Sequence, residues 1–292
     1  MLLQKRELIL LAMFEYTCDN HFDYETLKHG TIKRDLMPWR EECKHVAQQL
    51  YDKHGNDLVV MLSGGVDSEI VLLSFLACGI TPRVAMLRYE NSLNSHDLSY
   101  AYQRCASKEI IPEIIDVNVN EFFKDSLVGF AIKTKITSPQ INLHAHCFDR
   151  VDGIPVIGAG ENFLVQELDR KVYDQEDEYL LRYCRYFIDK QRECIPTFFQ
   201  YTPEVILSFL VKSSVQEWVK KPTGRTTHKS KIKFVSEDFD VSIRSKLTGF
   251  ECMMSQDKVY RDKLKSFNFG DSINYQTEYS EYVNKLSGGL YG

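Results

Sequence analysis

Leu58-Val59-Val60-Met61-Leu62 is a continuous apolar, β-branched run of strand length, the pattern of a strand buried on both faces. The small, polar hexapeptide Ser63-Gly64-Gly65-Val66-Asp67-Ser68 follows, and beyond it Ile70, Val71, Leu72, Leu73, Phe75 and Leu76 recur at helical spacing. Cys78-Gly79 ends that helix and Pro82 blocks its extension. The alternation then repeats. Val84 to Leu87 reads as a second strand, Asp97 to Ile110 as a helix, Glu113 to Val117 as a third strand and Ile154 to Gly158 as a fourth. Such an order predicts an α/β fold, a parallel sheet with helices on both faces. Upstream, Pro38 opens a helix from about Trp39 to Lys53, and Gly55-Asn56-Asp57 is a turn. From about Leu168 the texture changes. Tyr179, Leu180, Tyr183, Cys184, Phe187 and Ile188 fall at helical intervals, as do Val205, Leu207, Leu210, Val211, Val215 and Trp218. The organisation expected is an entry segment (1–57), an α/β core (58–168) and a mainly helical C-terminal part (169–292).

Composition narrows the classes. At 43% hydrophobic and 26% charged, the chain is neither disordered nor collagen-like. With 41 acidic against 36 basic residues, the net charge of −5 excludes a broad electrostatic grip on nucleic acid. No stretch approaches the roughly 18 uninterrupted apolar residues that a membrane span needs. Lys5-Arg6 and the apolar run Leu8 to Phe14 imitate a signal peptide, but Glu7 and Glu15 bracket the run and no Ala-x-Ala site follows, so it reads as a buried helix or strand. The eight cysteines include no Cys-x-x-Cys pair, which removes the commonest zinc-ribbon, thioredoxin and iron–sulfur spellings. Reduced thiols and a cytoplasmic location are the expectation.

The chemistry starts at the hexapeptide. Gly64 and Gly65 let backbone amides approach an anion closely, and the new helix points its partial positive end at it. Ser63 and Ser68 add hydroxyls, and Asp67 makes sense beside phosphate if Mg²⁺ lies between them. Neither Gly-x-x-x-x-Gly-Lys-Ser/Thr nor Gly-x-Gly-x-x-Gly is present.

Three other segments invite readings. On a strand, His144 and His146 would share a face and could meet a metal ion, though a pocket-lining or exposed loop fits them better. The basic run from Lys220 to Lys233 reads as a solvated loop, a lid over triphosphate, or a nucleic-acid contact. Glu176, Asp177 and Glu178 read as an exposed helix start, and the terminal Ser287-Gly288-Gly289 as a frayed end rather than a second phosphate loop.

The sequence Ser63 to Ser68 resembles the pyrophosphate loop of the N-type ATP pyrophosphatase superfamily. Three further segments, in the family's order, are similar to the synthetase domain of asparagine synthetases: Arg88 to Ala101, Pro155 to Asn162 with its Gly160-Glu161, and Arg244-Ser245-Lys246-Leu247-Thr248-Gly249-Phe250. The resemblance covers about residues 58 to 255 and implies an adenine nucleotide alpha hydrolase-like fold. It implies ATP and Mg²⁺ as cofactors and cleavage of ATP between its α and β phosphates. AMP is placed on a carboxylate or amide oxygen of a small-molecule acceptor, and an amine or ammonia then displaces it.

Residue by residue, the resemblance gives Ser63, Gly64, Gly65, Val66, Asp67 and Ser68 to the phosphates, with Asp67 as the metal ligand. Glu161, with Gly160 before it, falls near the reacting acyl group. Lys246 contacts the ATP phosphates or departing pyrophosphate, with Arg244 beside it. Leu62, Met86 and Leu87 border the adenine. Departures are as informative: Asn162-Phe163-Leu164-Val165 follow Glu161 where asparagine synthetases have Asp-Glu, and Ala159 replaces a serine. Aspartate is therefore not the expected acceptor. Leu2 stands where a glutaminase nucleophile would be, and Leu58 begins the first core strand, so the resemblance implies the synthetase half alone, without the glutaminase domain. A tRNA- or DNA-modifying enzyme and an inactive nucleotide-binding protein are the competing expectations.

Overall fold

In the computed structural model of the chain, residues 31–290 are described except for 135, 160–162, 168–169, 177–185, 188–189, 221–227, 243, 251–257, 261 and 263–273. Helix α1 (Trp39–His54) leads through a short turn into β1 (Leu58–Met61), whose four residues are all buried. Helix α2 (Val66–Ala77) follows the hexapeptide, and Gly79 (φ 75°) supplies the left-handed turn that ends it. Strand β2 (Arg83–Tyr89), helix α3 (Ser95–Ser107) and strand β3 (Glu113–Val117) come next. A helical turn and a π-type turn lead into α4 (Leu127–Thr134), then α5 (Pro139–Phe148), which Ser138 caps through the Ile141 amide, and β4 (Ile154–Val156).

These four strands form one parallel sheet in the order β3-β2-β1-β4. From β1 the chain steps outward to β2 and β3, then returns to the other side of β1 with β4. The carboxyl ends of β1 and β4 thus flank a topological switch point, where open α/β sheets bind ligands. Beyond β4, Ile195 extends the sheet: its amide donates to the Pro155 carbonyl at 2.8 Å and its carbonyl accepts from the Ile157 amide at 2.9 Å.

The second half contains β5 (Phe163–Glu167), β6 (Arg170–Glu176), α6 (Pro203–Leu210), α7 (Ser213–Val219), α8 (His228–Val235), β7 (Asn274–Glu278) and α9 (Tyr279–Ser287). The antiparallel sheet β5-β6-β7 is absent from the sequence-based expectation of a mainly helical part. Glu176, expected at a helix start, is instead the last residue of β6. Gly288 (φ 62°) caps α9, and the Gly289 amide donates to the Asn284 carbonyl at 3.0 Å, so this tail is a helix cap.

Two apolar cores lie on the two faces of the parallel sheet. Leu58, Val60, Leu62, Val84 and Met86 pack with α1, α2, α3, α6, α8 and α9. Val59, Met61, Ala85, Leu87 and Tyr89 pack with α4 and α5. The alternation explains why β1 is apolar at every position: each face has its own helical cover. No helix among the described residues is long and apolar enough to cross a membrane.

Candidate functional site

Leu62 continues the sheet by donating its amide to the Ala85 carbonyl at 2.9 Å, and the chain then turns through the hexapeptide. Gly64 has φ 83°, and a Cβ there would lie 1.8 Å from the carbonyl oxygen of Asp97. The backbone at the start of α3 therefore rests directly on the loop, and no other residue type fits. On the opposite side, a Cβ at Gly158 would lie 2.7 Å from the Ser68 nitrogen, so the chain leaving β4 passes over the first turn of α2. Ser68 is buried and fastens the loop internally. Its Oγ accepts from the Ser63 amide at 3.1 Å, donates to the Gly65 carbonyl at 3.0 Å, and lies 3.1 Å from Ser63 Oγ. Ser63, by contrast, is exposed. The first amides of α2 have no partner within the helix and lie at the carboxyl edge of the sheet.

Three cations gather on this loop and the helix it opens. Lys231 of α8, 8% exposed, places Nζ 2.6 Å from Asp67 Oδ1. Burial pulls its ammonium below the usual lysine range, Asp67 opposes that shift, and the nearby charge of Lys246 reinforces it. Lys246 is exposed, and no ion pair holds its ammonium among the described residues. The third cation is Arg244, which the sequence placed beside the phosphates. Its guanidinium is instead paired with Glu69 of α2 and lies 4.8 Å over the Tyr100 ring. Glu69 also receives Arg104 of α3. Arg244 thus fastens the Lys246 segment to α2 through the Glu69 carboxylate that it shares with Arg104.

Asp67 supplies a single carboxylate. Among the described residues no group of three or more His, Cys, Asp or Glu side chains could hold a metal. That donor set fits Mg²⁺ bound mainly through phosphate oxygens and waters, the ion's common habit. It does not fit an all-protein metal cage.

Leu62 directly follows β1, but Met86 and Leu87 lie inside β2, which runs on to Tyr89; the side chains of Leu62 and Met86 are buried in one core and Leu87 in the other. The Leu87 carbonyl already accepts from Asn94 Nδ2 at 2.8 Å. These residues can border an adenine chiefly through backbone. Gly160 and Glu161 lie outside the described residues.

His144 and His146 sit on the helix α5, not on a strand. Two residues apart on a helix face different ways. His144 Nε2 meets the Tyr89 hydroxyl at 3.2 Å, whereas His146 packs between the rings of Phe122 and Phe130. A shared metal ion is excluded by that divergence. Burial, with a smaller contribution from Lys246, holds the His144 imidazole down at about 4. The folded state therefore keeps His144 neutral where the unfolded chain would take up a proton. Its contribution to stability is complete above pH 6.5 and is lost as the pH falls toward 4, and a shift of this size corresponds to roughly 3 kcal/mol. Denaturant titrations at pH 7 and pH 4.5 should show wild type losing about 2 kcal/mol more than His144→Gln over that interval. Equal losses would contradict it.

Comparison of the chain with protein-family models and with curated proteins finds no match. What the fold and site define is a parallel α/β sheet with a glycine-containing loop at its switch point, with Lys231 of the second half of the chain paired to Asp67 at that loop. Sequence reasoning missed Glu69 and Asp97 as parts of this arrangement, and offered Lys231 only within a basic run read as a loop, a lid or a nucleic-acid contact. For Lys231 a signal existed: it shares a short helix with the apolar Ile232, Phe234 and Val235, all buried.

Proposed function

We propose that the protein is an ATP-dependent, AMP-forming ligase, related in mechanism to asparagine synthetases but with another acceptor. The single observation that carries this reading is the ion pair of the buried Lys231 with Asp67 at the amino end of α2, with the charge of Lys246 close enough to act on Lys231. The first amides of α2, Lys231 and Lys246 would hold the β and γ phosphates. As the acceptor oxygen attacks the α phosphorus and the bond to the β phosphate breaks, negative charge grows on the departing pyrophosphate. Lysines fixed beforehand at that place stabilise it without reorganising. Mg²⁺, held by Asp67 and the phosphate oxygens, would add Lewis-acid polarisation. In the second step an amine or ammonia attacks the acyl carbon and AMP leaves. The five described cysteines Cys43, Cys78, Cys105, Cys147 and Cys194 form no disulfides, in keeping with a cytoplasmic setting.

A base-thiolating enzyme has less support. Burial pushes up the thiols of Cys43, Cys78, Cys105 and Cys147, so these are poor sulfur carriers. Lys231, within the basic segment 220–233 that could have met nucleic acid, turns inward to Asp67, which favours the lid reading. Pyrophosphate release from Mg-ATP, screened over amino acids, nucleotides, tRNA and DNA, tests the proposal. Release that depends on one class of small acceptor is expected. ATP binding without release for any of them would favour an inactive nucleotide-binding protein.

A further inference from the structure

The segment carrying Lys246 is fastened at nearly every neighbouring residue, and most fastenings come from α3. His96 Nε2 lies 3.2 Å from the Ser245 carbonyl and 3.0 Å from its Oγ. Asp97 Oδ1 accepts the Leu247 amide at 2.8 Å. The Tyr100 ring lies under the Arg244 guanidinium. Arg104 shares the buried Glu69 carboxylate with Arg244. At 100° per residue, positions 96, 97, 100 and 104 fall on one face of the helix. A Cβ at Gly249 would lie 2.8 Å from the Leu93 carbonyl, so the segment also lies against the turn before α3.

One residue of this face touches both halves of the site. The Asp97 carbonyl is the group on which Gly64 rests, and the Asp97 carboxylate holds the amide next to Lys246. The phosphate loop and the lysine segment, nearly two hundred residues apart in sequence, are thus referenced to the same residue.

We propose that Asp97 is a positioning residue, fixing Lys246 against the phosphate loop through the Leu247 amide. The inference rests on the phosphate-binding reading of that loop. It requires that Asp97 act as a hydrogen-bond acceptor and through Lys246, which separates it from a metal ligand or a direct phosphate contact. Calorimetric titration of inorganic pyrophosphate with Mg²⁺ tests both requirements in a double-mutant cycle. Lys246→Ala should weaken binding by roughly tenfold to a hundredfold, the worth of one charge-assisted contact. Asp97→Ala should cost about tenfold in wild type and little in the Lys246→Ala background, because the lysine it positions is gone. Asp97→Asn, which keeps the acceptor oxygen, should restore most of the affinity. Equal losses on both backgrounds, or an asparagine variant as weak as the alanine one, would overturn the role of Asp97. Failure of the wild type to bind pyrophosphate would overturn the phosphate site itself and this inference with it.

Discussion

Asp67→Asn should lower the rate of Mg-ATP cleavage by roughly a hundredfold to a thousandfold, and Lys246→Ala by a similar factor. Losses of that order follow when one prearranged charge partner of a transition state is removed. The choice of asparagine matters. Lys231 is nearly buried and has Asp67 at 2.6 Å as its counter-ion. Alanine would strand that ammonium, and breaking a buried pair from one side costs about 3–5 kcal/mol. Asp67→Ala would therefore mix a folding defect with a catalytic one, while asparagine keeps an oxygen within reach of the lysine. Initial rates of AMP formation, measured beside thermal melts, separate the two effects. A variant that melts and turns over like wild type would refute the assignment of the phosphate site.

Glu69→Ala should destabilise the fold by about 3–5 kcal/mol, because both Arg104 and Arg244 lose their shared carboxylate in a nearly dry setting. Solvent screens this cluster little: the side chains of Glu69, Arg244 and Arg104 are 4%, 6% and 18% exposed. For a chain of this size that loss lowers the melting temperature by roughly 10 °C. Glu69→Gln keeps two acceptor or donor positions but removes the charge, and should fall between wild type and alanine. A change below about 0.5 kcal/mol in Glu69→Ala, typical of an exposed surface substitution, would show that the cluster is not a structural centre.

The parts of the molecule that could be read from the sequence are those fixed locally. Leu58 to Leu62 is apolar because two cores cover β1, and Gly64 after it is required by a left-handed turn and a backbone contact. The helix α1 and the third strand fall within a residue of their expected bounds for the same reason: caps, breakers and apolar spacing lie next to one another in the chain. What could not be read depends on partners far away. β6 carries charged residues and pairs with the adjacent β5 on one side and with β7, a hundred residues later, on the other, so its strand character comes from pairing and not from its own pattern. His144 and His146 misled because a short apolar-polar stretch is compatible with either period, and Pro139 with the Ser138 cap decides for a helix.

Within the site, the resemblance placed Asp67 and Lys246 where a charge cluster forms, but it assigned Arg244 to phosphate. Nothing in Arg-x-Lys spacing reveals that a carboxylate on α2, 175 residues earlier, has already claimed the guanidinium. Conversely, the basic run from Lys220 to Lys233 reads as a solvated loop, a lid or a nucleic-acid contact, and only the fold shows that Lys231 is turned inward against Asp67.

The central claim is that this loop, with Lys231 and Lys246, holds the pyrophosphate half of ATP while the α–β bond breaks. Phosphorus NMR of Mg-ATP incubated with the protein and its acceptor shows directly which bond is cut. The account predicts AMP and pyrophosphate in equal amounts. ADP and inorganic phosphate, or ATP left intact with every acceptor class, would contradict it.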